Sequence, residues 1–212
     1  SLILPISIQE TSSQTVFRKS PESKKTIIKG MNSNGINEFF STGDMLGTVL
    51  QDVFTNVNIY DDDIRLLQRR FTSPIAKEGL NFYKYYLMDT LTVERDTCVH
   101  LTFVPQNSQD FGFTGHLYVL KDSTYAVKKC VMNLPKKTGV NFVNQLDIVQ
   151  QYEQLPNGNW VLMDDDMLVD LSLVKSMGGL QVQRTTKYSN YKFDPIEQRL
   201  FRLKGSVIKE AC

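Results

Sequence analysis

The 212-residue chain has only two histidines, His100 and His116, and both lie in segments that alternate apolar with polar residues. If those segments are neighbouring strands joined by a turn centred near residue 108, His100 stands directly opposite His116. Two cross-strand imidazoles on one face can hold a metal ion when a third ligand joins them. Only Cys98 is close enough in sequence to be considered, so the pair reads as two surface histidines. Two acidic triplets invite the same question. Asp61-Asp62-Asp63 lacks the alternate spacing and the glycine of a calcium loop, and serves better as a solvated turn or cap before Ile64. Asp164-Asp165-Asp166 sits within a strand pattern, where successive side chains point to opposite faces, so the three cannot share an ion unless the strand bulges. Ser and Thr are plentiful, yet no nucleophile elbow, phosphate loop or metalloprotease helix is present. No catalytic residue, cofactor or metal is expected.

The elements that would carry these residues form a series. Phe82–Val93, Thr97–Pro105, Phe111–Lys121, Ala126–Leu134, Phe142–Leu155, Trp160–Val174 and Gly179–Tyr191 each read as a β-strand, separated by short turn-rich segments such as Pro156-Asn157-Gly158-Asn159. Val99, Leu101 and Phe103 alternate with Cys98, His100 and Thr102, the pattern of a sheet with one apolar and one polar face. Residues 1–80 differ in character. Leu2–Ile8 looks like an edge strand because Pro5 cannot donate to a ladder. Ser20-Pro21 resembles a helix start, with a short helix ending at Gly30. Phe39, Phe40, Leu46, Val49, Leu50, Val53 and Phe54 mark an amphipathic helix over Asn37–Phe54. The expected fold is therefore α+β: a strongly curved antiparallel meander, a half-barrel, with helices from Pro21–Phe54 on one face. It is read as a single domain, 1–212, in which 1–80 supplies the N-terminal strand and helices and 81–212 the meander.

Aromatic residues crowd into the meander. Tyr83, Tyr85, Phe103, Phe113, Tyr118, Phe142, Tyr152 and Trp160 are the candidate ligand-binding residues, lining an apolar groove for a lipid, acyl chain or peptide. Core filling and cross-strand pairing account for the same residues.

A net charge of +1 supplies no electrostatic footprint for nucleic acid or an anionic membrane surface. No apolar stretch approaches the roughly 20 residues of a spanning helix. The chain begins at Ser1 and carries no signal peptide, as a piece excised from a longer protein would. Cys98 and Cys130 fall in strands two apart, near 10 Å and beyond disulfide reach, so they and Cys212 are expected to be free thiols.

Several short motifs occur in a telling order: Leu4–Glu10, Asn58-Ile59-Tyr60, Phe71–Ala76, Tyr85–Thr90, Phe103-Val104-Pro105, Phe113–Val119, Thr124–Val127, Asn141-Phe142-Val143 and Gln150-Gln151-Tyr152 before Trp160. Together they resemble a domain-of-unknown-function family of Bacteroidetes outer-membrane proteins. Its members carry a carboxypeptidase-regulatory-like domain before this region and an outer-membrane β-barrel after it. The resemblance implies an extramembrane portion, periplasmic or surface-exposed, at the cell outer membrane, with neighbouring envelope domains of the same chain as partners. It offers no catalytic residues to carry over. A weaker, fold-level similarity links the meander to lipoprotein-carrier half-barrels. The expected function is a non-enzymatic module binding a lipid, lipoprotein or polypeptide on a concave sheet face. The alternative is a structural spacer between neighbouring domains.

Overall fold

The computed structural model describes residues 8–19, 22–34, 55–134, 143–174, 178–193 and 207–208. The chain divides into two compact units, one of Ser1–Gly47 with Tyr191–Cys212 and the other of Thr48–Asn190. In the first, β1 (Ile8–Lys19) pairs antiparallel with β2 (Glu22–Asn34), from Ile8 opposite Asn34 to Lys19 opposite Glu22. The two residues of β12, Val207–Ile208, lie parallel to β2.

The second unit opens with a hairpin of β3 (Asp63–Leu66) and β4 (Arg69–Thr72). After the four-residue helix α1 (Gly79–Phe82) come seven strands: β5 (Tyr83–Val93), β6 (Asp96–Pro105), β7 (Thr114–Leu120), β8 (Val127–Leu134), β9 (Val143–Gln154), β10 (Trp160–Val174) and β11 (Gly178–Lys187). They lie in sequence order in one antiparallel sheet, with β5 and β11 at its ends. Each begins within three residues of the start expected from alternation and turn residues. The turn before β10 contains Gly158 at φ +87°, a conformation that costs glycine little.

One face of this sheet is the core. Phe103, Leu117, Cys130, Met132, Leu146, Ile148, Met167 and Val169 are buried there in successive cross-strand pairs and diagonals. Gly115 sits between Phe103 and Met132 because there is no room for more. A Cβ there would lie 1.8 Å from the Val131 carbonyl oxygen. The segment 55–78 covers this face. Val57, Ile59, Ile64, Leu66, Leu67 and Phe71 are buried from it. Its backbone is tied down by Gln150 Nε2 donating to the Val57 carbonyl (2.8 Å) and Tyr83 Oη to the Thr72 carbonyl (2.6 Å). Buried Ser73 donates to the Ile59 carbonyl. At the hairpin tip Leu67 and Gln68 both take positive φ, 52° and 58°. Such a two-residue turn matches the twist of its strands, and burial of the Leu67 side chain offsets the strain of that backbone.

This architecture overturns the α+β expectation. The described residues are nearly all β, with one helix of four residues among them, and their seven-stranded sheet does not close into a barrel. The core face is covered by a hairpin and loop where helices were expected. Residues 22–30, expected as helix, belong to β2. The cap signal at Ser20-Pro21 is local and worth about 1 kcal/mol. The β-branched run Thr26-Ile27-Ile28 and a long ladder to β1, with one register shift between Ser12 and Ser13, outweigh it. The helix expected over Asn37–Phe54 and most of the edge strand expected over Leu2–Ile8 lie outside the described residues. No helix among the described residues is long and apolar enough to cross a membrane.

Candidate functional site

β5 is the element from which the site is built. It is an end strand of the large sheet, and its only ladder among the described residues is with β6. Tyr86, Leu87 and Met88 follow one another on it at 52%, 71% and 57% exposure. Between Leu87 and Asp89 the register slips, so Met88 is an extra residue relative to β6. That bulge sets Asp89 opposite His100, and the Asp89 carboxylate takes the His100 Nδ1–H at 3.1 Å.

His100 is held on every side. Tyr118, opposite it on β7, stacks on the ring with centroids 4.7 Å apart and planes 4° apart. His100 Nε2 lies 2.9 Å from His116 Nδ1. A carboxylate can only accept, so in the neutral pair His100 donates through Nδ1 and His116 donates its Nδ1–H to His100 Nε2. The His100 side chain is 15% exposed. Burial first, and then the neighbouring His100, hold His116 below its ordinary pKa of 6.5.

The expected direct pairing of the histidines is corrected by two residues. His100 is opposite Tyr118, and His116 is opposite Thr102. The connection is asymmetric because Phe113 leaves strand geometry to enter the core, donating its N–H to the Tyr83 hydroxyl oxygen (3.2 Å) and packing 4.9 Å from Phe71. A slip of two preserves the face, since side chains alternate with period two, and the imidazoles meet on the diagonal. Cys98 does not join them. Asp89 does, brought by a bulge that alternation alone does not reveal.

The aromatic candidates are dispersed. Tyr83, Phe103, Phe113 and Tyr152 are buried in the core, with Tyr83 edge-on to Phe103 at 5.3 Å. Tyr85 is half-buried, its hydroxyl on the Pro74 carbonyl at 2.9 Å. Tyr118 belongs to the opposite face, beside His100. Trp160 is half-buried, with the Lys128 ammonium 5.8 Å from its ring and its indole N–H buried without a partner. Phe142 lies outside the described residues. Two depressions, about 420 and 230 Å³, open beside the β3–β4 hairpin. The larger is lined by Thr55, Arg65, Leu66, Gln68, Arg69 and Arg70, and none of the eight aromatics lines either one.

The acidic triplets separate. Asp61-Asp62-Asp63 is a turn: Asp61 N–H donates to the Asn58 carbonyl at 3.3 Å, and Asp62 accepts the Lys77 N–H at 3.0 Å. Asp165 turns into the core, where Arg184 Nη2 meets it at 3.0 Å and Gln150 Nε2 at 3.3 Å. Arg184 also donates to the Thr55 carbonyl at 3.2 Å, and Tyr152 Oη donates to Gln150 at 2.8 Å. Burial raises the Asp165 pKa, with Arg184 opposing. This buried network was missed from sequence, although its signal is there. Asp165 shares parity with Met167 and Val169, as Arg184 does with Val182. Cys98 and Cys130 are buried free thiols, and burial pushes both upward in pKa.

A family model described as a family of unknown function, DUF5686, matches residues 5–191. The chain belongs to that family. No curated protein and no solved structure matches it.

Proposed function

We propose that this member of the family is a non-catalytic binding module that takes an extended polypeptide onto the free edge of β5. The observation that carries the reading is the run Tyr86-Leu87-Met88, exposed on an end strand whose outward backbone row has no ladder partner among the described residues. Such an edge offers main-chain hydrogen bonds for affinity and exposed side chains for specificity. A polypeptide fits it better than a lipid does. The aromatics that a lipid groove would need are divided between core and opposite face, and the core face lies under the segment 55–78. The reading keeps the setting that the motif order implies: the extramembrane part of a bacterial outer-membrane protein, with a neighbouring domain of the same chain or another envelope polypeptide as partner.

A photo-crosslinking amino acid placed at Leu87 and Met88 of the full-length protein in cells tests this, with exposed Tyr125 as control. The expected result is crosslinks from 87 and 88 to one extended stretch of one polypeptide, reduced at least tenfold by Tyr86→Lys. Adducts to lipid alone would favour a carrier. No adduct above the Tyr125 control would favour a spacer. Either outcome overturns the proposal.

A further inference from the structure

The face of the sheet that carries His100 and His116 holds more than a hydrogen bond. We propose that His100 Nε2 and His116 Nδ1 form a two-imidazole site for a divalent copper ion. Three features of the geometry converge on this. The two nitrogens are 2.9 Å apart. Two nitrogens bound cis at about 2.05 Å around a tetragonal ion are also about 2.9 Å apart, so the spacing suits the site once the His116 ring turns its Nδ1 off the hydrogen-bond axis toward the ion. A tetrahedral ion needs about 3.3 Å, further from the spacing present. Cu²⁺ therefore fits better than Zn²⁺, and it also leads the divalent series for nitrogen ligands.

The second feature is Asp89. Its carboxylate accepts the His100 Nδ1–H at 3.1 Å, which leaves the Nε2 lone pair as the donor toward a metal. This carboxylate–imidazole arrangement accompanies metal-bound histidines generally. The third is rigidity. Tyr118 stacks on the His100 ring at 4.7 Å, so one ligand is already oriented. On binding, His116 changes tautomer, carrying its proton on Nε2 and presenting Nδ1 to the ion. Among the described residues no group of three His, Cys, Asp or Glu is arranged as a ligand set, and water completes the coordination. The Lys129 ammonium, 5.8 Å from the Tyr118 ring, opposes a cation here, and Asp89 offsets it. An occupied site fastens β6 to β7 and, through Asp89, to the bulge of β5.

The test uses untagged protein and CuSO₄. Isothermal titration is expected to give one Cu²⁺ per chain, bound at least tenfold tighter than by His116→Ala or the bulkier His116→Gln. Electron paramagnetic resonance is expected to show a tetragonal centre with two equivalent imidazole nitrogens. Asp89→Asn is expected to weaken binding 10- to 100-fold while the two-nitrogen spectrum persists. Zn²⁺ is expected to compete poorly. Equal Cu²⁺ affinity in wild type and both His116 variants, each folded by circular dichroism, would overturn the proposal. So would a spectrum with fewer than two imidazoles.

Discussion

Asp165 and Arg184 are sealed between one face of the large sheet and the segment 55–72, whereas His100 and His116 lie on the other face with only their neighbours for cover. Both faces hold ionisable groups in contact at about 3 Å, yet the physics differs. The Asp165–Arg184 pair has side chains 1% and 8% exposed, so each charge depends on the other for what water would have supplied. The histidine pair is a hydrogen bond between partly exposed rings, so another ligand can take either partner's place at modest cost. The first arrangement anchors a strap. The second is available for exchange. On this sheet, depth of burial separates a polar contact locked to its partner from one open to solvent.

Breaking the buried pair is expected to have the largest effect. Arg184→Met leaves Asp165 buried without its charge partner, and should cost about 3–5 kcal/mol in urea-denaturation free energy. Arg184→Met with Asp165→Leu should recover most of that loss. If the double variant is no better than the single, the pair's charges are not what the site depends on.

An intermediate effect is expected from pH, and it has opposite signs on the two faces. His116 has a lowered pKa through burial and then His100, so the unfolded chain binds its proton first. Its contribution to stability is present above 6.5 and lost as pH falls through the lower folded value. Asp165, raised by burial against the pull of Arg184, behaves in reverse. Its contribution is present below the ordinary 3.8 and lost as pH rises through the folded value. Urea midpoints between pH 7.5 and 5 should therefore decline less in His116→Gln than in wild type. An identical decline would remove His116 from this account.

The smallest effect is expected at Lys187, whose ammonium lies 3.9 Å from Asp164 on the polar face with its side chain 79% exposed. Lys187→Ala should change stability by no more than about 0.5 kcal/mol, because solvent screens an exposed pair. A larger loss would show that the polar face is covered more deeply than its exposure indicates.

Most of the large sheet is legible in the sequence alone. Period-two alternation and the turn residues located all seven strands, and the same alternation put His100 and His116 on one face. Helices in the N-terminal third were misread at Ser20–Gly30 because a helix cap is a two-residue signal, while the strand there depends on a ladder to β1. Asp165 and Arg184 stood in apolar registers, a pattern that indicates buried charge only when both strands are read together. The bulge that brings Asp89 to His100 left no mark in the alternation.

Local chemistry along the chain dictated which residues share a strand and a face, since alternation is a property of successive side chains. Three-dimensional packing decided which residues meet. The two-residue slip between β6 and β7, the bulge at Met88 and the hairpin over the core all arise from contacts distant in sequence. His100 and His116 show both. Their common face was written in the spacing, and their 2.9 Å approach follows from the two-residue slip that sets them on the diagonal.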